Sequence, residues 1–512
     1  MSQNSRTKNV LLNINIGFLT QFGSLMLAFI GRRIFVQYLS QDYLGINGLY
    51  TNILSILSLA ELGIGNVVQF YLYKPVLENN YDLIRSLLQF FRKVYYAIAL
   101  VIFIIGMSLV PILKFIVSSN LSYEELVIYY ILFLLNSIAT YFTAHKTALL
   151  IANQENRIQQ LVSFVTNILL QILHIAVLVL WHSYIYYVFA TLISTIIDKV
   201  ITTTLCNQRY PYLKEKGKTI NFDKKIIREN VTSTFLYKIS TTIINNTDNI
   251  LISILVNTTA VGLYSNYCMI VSGVTSILSI VTLSFISSIG NLSAEGNKKR
   301  MLEVFDILLL FYHFIATFCS ICFFFLFNDF ICIWLGKEFL FDTGTVFTIV
   351  FNFYISYAVS PIWMFREANG MFKEVKYLLA FTALANIILS LKLGYIWGTM
   401  GILLATSIAK GMTIIWYEPQ ILFRYVFQKS IWHYWFRQTK YLIFSGIGVF
   451  LCEKIATSFP GNFAFILLKS FLFLLVNACL FTAGTWTTKE NREVRQLLCH
   501  KICHKRRMGP LS

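Results

Sequence analysis

Val231 to Val256 reads VTSTFLYKISTTIINNTDNILISILV. It is long enough for the roughly 20 apolar residues a membrane-spanning helix needs, yet it carries a lysine and an aspartate. Thr234, Lys238, Thr241, Asn245 and Asp248 recur at spacings of four, three, four and three. A helix therefore sets all five on one narrow face. An ionisable group at the bilayer centre costs about 3 kcal/mol, so such residues face a bundle interior or a watery cavity. Lys238 and Asp248 stand about 15 Å apart at 1.5 Å per residue. That distance excludes a direct salt bridge, and each needs a partner of its own.

Working outward, apolar runs of similar length fill the chain. With 512 residues, 56% of them hydrophobic and 13% charged, and a mean hydropathy of +0.65, the composition excludes a soluble domain. We read about 14 spans of the required length: 10–36, 44–72, 94–117, 125–149, 160–181, 184–205, 231–256, 260–290, 303–327, 345–365, 376–396, 399–417, 441–459 and 463–486. The runs far exceed the alternating segments of about ten residues that build a membrane β-barrel. The fold class is thus an all-α polytopic membrane protein.

Orientation follows from Lys and Arg, which concentrate in cytoplasmic loops. About 32 of the 42 fall in the N-terminus, the even-to-odd loops and the tail, against about 6 on the other side. Both termini are expected in the cytoplasm. The net charge of +18 is then mostly topological, with the basic loop Arg209–Arg228 and the tail Lys501, Lys505, Arg506, Arg507 suited to anionic lipid. Nothing calls for nucleic acid. The N-terminus lacks a short apolar core followed by a small-residue cleavage site, so it reads as an uncleaved first span. Six of the nine cysteines lie in or beside spans and three at cytoplasmic positions, which argues against a disulfide framework.

The polar connection between the sixth and seventh spans divides the chain. We expect a six-helix lobe at 1–206, a basic loop at 207–230, a second six-helix lobe at 231–417, a loop with an extra helix pair at 418–486, and a basic tail at 487–512. Leu44-Gly45-Ile46 after the first span echoes Val261-Gly262-Leu263 after the seventh. Such pseudo-repeats are common in transporters, whose substrate sites lie where the halves meet. Outer connections are short; the longest, Asn328 to Gly344, carries Phe330–Leu335, read as lying in the membrane interface. That leaves no room for a catalytic domain.

Other spans carry polar faces too: Asn13, Gly17, Thr20 and Ser24 on the first, Gln160, Ser163, Asn167, Gln171 and His174 on the fifth, Thr191, Thr195, Asp198 and Thr202 on the sixth. A stripe of Ser or Thr alone serves as glue between helices. Full charges are poor glue in hydrocarbon, and Lys238, Asp198, Asp248 and Glu61 point instead to an aqueous cavity between lobes. Arg32 fits either a headgroup anchor or a cavity wall. Lys199 beside Asp198 fits a local ion pair or the cavity, Lys410 is the candidate in the second lobe, and Lys469 reads as interfacial. His174 is either a hydrogen-bonded interior residue or a proton relay. Cys499, His500, Cys503 and His504 match no common zinc spacing. No nucleophile elbow, phosphate loop or catalytic carboxylate pair is present, so neither an enzyme nor a cofactor is expected.

Three stretches carry a family resemblance: Tyr43–Tyr50 (YLGINGLY) through Ala60–Gly65 (AELGIG) and Leu72–Pro75 (LYKP); Thr247–Ser253 (TDNILIS) with Val261–Ser265 (VGLYS); and Arg366–Gly370 (REANG). In order and over most of the chain they resemble bacterial polysaccharide flippases of the Wzx type, in the multidrug/oligosaccharidyl-lipid/polysaccharide transporter superfamily. The resemblance implies two six-helix lobes, alternating access, residence in the bacterial cytoplasmic membrane, and a substrate of oligosaccharide linked through pyrophosphate to undecaprenol. It also implies work beside a polysaccharide polymerase or glycosyltransferases, for capsule or O-antigen. Pyrophosphate suits Arg and Lys donors, here Arg32 and Lys238, then Lys410 and Lys199. Sugar hydroxyls suit amides such as Asn245 and Gln171. Asp248, Glu61 and Asp198 would bind a coupling proton or sodium ion. A lipid II flippase, a multidrug exporter of the same superfamily and a glycosyltransferase scaffold are the alternatives.

Overall fold

The computed structural model describes residues 3–58, 64–119, 121–214, 224–371, 374–488 and 491–492, with backbone alone for 3–15, 64, 66, 67, 69, 70, 214, 224–238, 287 and 294. Glu61, the side chains of Thr234 and Lys238, and the Cys/His tail at 499–504 lie outside the described residues.

The chain packs as two compact units, Met1–Ile277 and Leu278–Ser512. The first holds α1 (Gln3–Tyr38), α2 (Gln41–Leu57), α3 (Ile64–Leu77), α4 (Tyr81–Ser108), α5 (Leu113–Ile116), α6 (Tyr123–Tyr141), α7 (Ala144–Ala152), α8 (Asn156–Trp181), α9 (Tyr184–Arg209), α10 (Lys224–Leu255) and the start of α11 (Thr258–Ala294). The second holds the rest of α11, then α12 (Lys298–Trp334), α13 (Thr343–Ala358), α14 (Ser360–Ala368), α15 (Lys376–Met412), α16 (Ile414–Leu422), α17 (Trp432–Ser458) and α18 (Phe463–Gly484). The first unit runs past the 207–230 loop because α10 packs on α2 and α3.

Among the described residues ten helices are long and apolar enough to cross a membrane, or eleven if α13 and α14, bent by 42°, form one span. One of the ten, Lys376–Phe427, has 52 residues. At 1.5 Å per residue it would reach about 78 Å, more than twice a hydrocarbon core of about 30 Å. Gly398, at φ 57 and ψ −136, turns it back on itself, a conformation that residues with a Cβ rarely adopt. Asn386 Nδ2 then donates to Thr406 Oγ1 at 2.8 Å across the two limbs, which are the spans expected at 376–396 and 399–417.

Three expectations change. Phe330–Leu335 is no part of a connecting loop: α12 runs on to Trp334, and the chain turns at Gly336, whose φ is 124. Lys469 is no exposed anchor: it is 2% exposed, with Nζ 3.2 Å from Asp329 Oδ2. Glu418 does not begin a loop; it lies inside α16, where Arg366 Nη1 donates to it. In both cases a counter-charge on another helix removes the reason for the group to seek water.

Between α7 and α8, outside the spans, Glu155 is buried and accepts from Arg209 Nη2 at 2.8 Å and from Tyr210 Oη at 2.7 Å, tying the start of α8 to the end of α9. Burial alone would raise its carboxyl, but hydrogen bonds from Arg209 and Tyr210 and the charges of Arg209 and Arg157 outweigh it and hold it below the ordinary value. A depressed carboxylate stabilises the fold above its unfolded pKa of about 4.3, and that stabilisation fades as pH falls through the lower folded value. Glu155→Gln should therefore melt below the parent protein at pH 7, with the gap closing on acidification. Melting curves between neutral and strongly acid pH test this; a constant gap would contradict it.

Candidate functional site

The polar stripes of the fifth and sixth spans meet. Helices α8 and α9 pack side by side, and α8 lies along α1, which the sequence permits because Gly31 faces α8 where a Cβ would sit 2.2 Å from Gln171 Oε1. Between α1, α6, α8 and α9 the first unit forms an open-sided cavity of about 480 Å³. Most of its lining residues carry an amide or a hydroxyl, Gln21, Gln159, Gln160, Asn167, Thr140 and Thr195 among them. The volume falls within the roughly 300–1,000 Å³ range of small-ligand sites.

Asp198 is the hub of that wall. It is 6% exposed, and its Oδ1 accepts from Lys199 Nζ at 2.8 Å. Ser163 Oγ donates to its Oδ2 at 2.9 Å, and Thr166 Oγ1 lies 3.1 Å from the same oxygen. Behind Ser163 the chain of bonds continues: Gln159 Nε2 donates to Ser163 Oγ at 2.9 Å, and Thr202 Oγ1 donates to Gln159 Oε1 at 3.1 Å. Neutralised and hydrogen-bonded on both oxygens, the carboxylate is held as a fixed acceptor. Lys199 lines this cavity and an adjoining one.

Arg32 lies further along α1 in the same unit, with Nη1 3.1 Å from Ser265 Oγ on α11 and the rings of Tyr184 and Tyr187 beside it. Gln171 approaches Gly31, and its Oε1 is buried without a partner. His174 is an interior residue: Nε2 lies 3.0 Å from Thr191 Oγ1, and its ring stacks on Tyr187 at 3.6 Å. Asp248 is buried, facing Tyr264 and Cys268 of α11. Asn245, on the same stripe, is exposed.

The structure thus brings Asp198 and Lys199 together with the amides of α8, and Arg32 next to Gln171 through Gly31. Lys410 lies in the second unit, where Nζ is 3.2 Å from Ser356 Oγ, near a hydrogen-bonded Asn352–Ser407 pair at 2.6 Å. Sequence reasoning passed over the tyrosines: Tyr43 and Tyr129 close on Tyr184 with centroids 4.7 and 4.8 Å away, and Phe35 meets Tyr187 at 5.0 Å. The i, i+3 spacing of Tyr184 and Tyr187 was the available signal.

A helical polytopic unit with a polar cavity among its spans is an architecture that membrane transporters use. The family model for polysaccharide biosynthesis proteins matches residues 10–286, and the chain belongs to that family. No curated protein matches it significantly. Among solved structures it is similar to the lipid II flippase MurJ in an inward closed conformation, at 18% identity and a TM-score of 0.68, over 91% of this chain and 98% of that one. It is also similar to an inward-facing multidrug resistance MATE family transporter of the MOP superfamily (14% identity, TM-score 0.60, 78% of this chain and 94% of that one). A third likeness is to a MOP superfamily transporter from Pyrococcus furiosus (11%, TM-score 0.57, 83% and 96%), whose description notes a reversed polarity of the binding pocket. At these identities the likeness is one of fold, and the fold is that of transporters and flippases rather than enzymes.

Proposed function

We propose that this protein flips undecaprenyl-pyrophosphate-linked oligosaccharide across the bacterial cytoplasmic membrane by alternating access, both termini being cytoplasmic, to supply surface polysaccharide synthesis. The observation that carries the reading is the amide- and hydroxyl-lined chamber of the first unit, whose donors and acceptors suit sugar hydroxyls. Family membership supports the polysaccharide context. Arg32 and Lys238 hold the pyrophosphate, with Lys410 and Lys199 as further cations. Gln171 and Asn245 serve the sugar. Asp248 and Glu61 take a coupling proton or sodium ion, while Asp198, already neutralised by Lys199, acts as the sugar-side acceptor rather than as the ion site.

Purified protein in sealed vesicles, given labelled lipid-linked oligosaccharide with and without an ion gradient, tests the reading. Transport should be gradient-dependent. Charge reversal at Arg32 or Lys238 should cut it at least about tenfold while the protein stays in the membrane, since a hydrogen bond to a charged group is worth about 1.5–3 kcal/mol. Undiminished transport by both variants would overturn the assignment. A lipid II flippase is the second reading, favoured by the likeness to MurJ; faster flipping of lipid II than of the oligosaccharide in the same vesicles would establish it.

A further inference from the structure

Among the described residues that line the polar cavity two are ionisable, Asp198 and Lys199, and they answer each other at 2.8 Å. Neighbours in sequence on a helix do not face each other, so the lysine has to curl back over α9 to make this contact. The carboxylate is nearly saturated. Of its roughly four acceptor sites, Lys199 takes one on Oδ1, while Ser163 and Thr166 meet Oδ2. Gln159 and Thr202 extend the network behind Ser163, which holds the pair in one arrangement.

The rest of the described wall is neutral. Its amides and hydroxyls present both donors and acceptors, and one acceptor, Gln160 Oε1, is buried with no hydrogen-bond partner among the described residues. A buried acceptor is costly until a donor meets it, and a hydroxyl or amide N–H of a neutral ligand supplies one. A sugar carboxylate or ammonium meets a different setting. The one charge opposite to it is already engaged, and winning that charge means breaking the contact between Asp198 and Lys199. Water on the open side of the cavity tempers this penalty without removing it.

We infer that the Asp198–Lys199 pair is a charge filter: the chamber takes uncharged sugars, plain or N-acetylated, and discriminates against uronic acids and free amino sugars. This rests on the reading of the chamber as the sugar site. It places Lys199 at the sugar and leaves the pyrophosphate to Arg32 and Lys238. Removing one member of the pair should therefore redirect selectivity as well as weaken binding. Without Asp198 the ammonium of Lys199 can pair with a sugar carboxylate; without Lys199 the carboxylate of Asp198 can pair with a sugar ammonium.

The probes are undecaprenyl pyrophosphate bearing glucose, glucuronic acid or glucosamine, or no sugar, offered in competition to the detergent-purified full chain at mildly acid pH, where the uronate and the amine are both charged. All four share one anchor, so differences in retention by native mass spectrometry report the sugar. The parent should retain the glucose form about tenfold better than either charged form. Asp198→Asn should raise the glucuronic form about tenfold against glucose and depress the glucosamine form, and Lys199→Gln should do the reverse. Thr195→Lys and Thr195→Asp, which keep the pair and add one charge to the wall, should shift selectivity in the same two directions. Opposite shifts are something a purely structural pair cannot produce. Variants that, still folded by their melting curves, lose all three sugars in equal measure overturn the filter. So does a parent that retains the three alike but above the sugar-free lipid, an outcome that leaves the chamber as the sugar site; retention no better than that of the sugar-free lipid overturns the sugar site itself and the filter with it.

Discussion

Glu418→Ala is expected to lower the unfolding free energy by about 3–5 kcal/mol, the cost of removing one partner of a buried ion pair. Arg366 and Glu418 are each 4% exposed, and 52 residues of chain separate them. Truncating the glutamate takes away the acceptor of Arg366 Nη1 in the interior of the second unit, while Nη2 still donates to Glu367 Oε1 at 3.1 Å. Replacing both by apolar residues of similar volume, Arg366→Met with Glu418→Leu, should recover most of the loss, because neither charge then has to be kept from water. Thermal unfolding of the purified protein in detergent measures all three. A single variant within about 1 kcal/mol of the parent, as for an exposed pair, would show that the contact is not a desolvated one.

Gly45→Val should be nearly as damaging, for a steric reason. A Cβ on Gly45 would meet the carbonyl oxygen of Thr258 at 1.9 Å, and one on Gly262 would meet the backbone nitrogen of Gly45 at 2.9 Å. The two members of the internal sequence echo therefore face each other, where the starts of α2 and α11 cross. Thr259 Oγ1 donates to Asp42 Oδ1 at 2.7 Å in the same crossing. Overpacking costs about 1–3 kcal/mol where side chains can adjust, and here the obstacle is backbone, so the upper end applies. Gly48→Ala is the control, since its Cβ would come no nearer than 3.4 Å to Val261 Cγ1. Equal melting temperatures for the two variants would rule out the close crossing.

Much of this arrangement is legible in the sequence because hydrocarbon enforces a simple rule on it. Runs of apolar residues near the bilayer's thickness mark the spans, and the Thr191, Thr195, Asp198, Thr202 stripe marks a face that turns inward, where Asp198 is indeed buried. The hairpin at Gly398 follows from a run too long to cross once. What hydropathy cannot register is a remote partner. Glu418 next to Pro419 looks like the start of a loop until Arg366 is placed against it, and Lys469 looks unpaired until Asp329 is. The tyrosines around Arg32 escaped for a related reason: each is unremarkable alone, and only the folded chain brings Tyr43, Tyr129 and Tyr184 from three helices into one group. Helix breaks inside spans, as between α6 and α7, follow local packing that a sliding average smooths away.

The pairing of Lys469 with Asp329 also bears on how the chain is made. Helix α18 is the last of the described spans, and its lysine, near the start of the helix, would burden insertion as an isolated segment, though by less than the roughly 2.5–3.5 kcal/mol of a charge at a helix centre. Asp329 on α12, synthesised well before it, offers the counter-charge; Asn477 Nδ2 donates to the Phe314 carbonyl at 3.0 Å, and on α17 Ser445 Oγ lies 2.6 Å from Thr317 Oγ1. Three polar stitches along α12 thus await the final pair of helices. Insertion of the α17–α18 hairpin becomes a docking event onto a helix already in the bilayer.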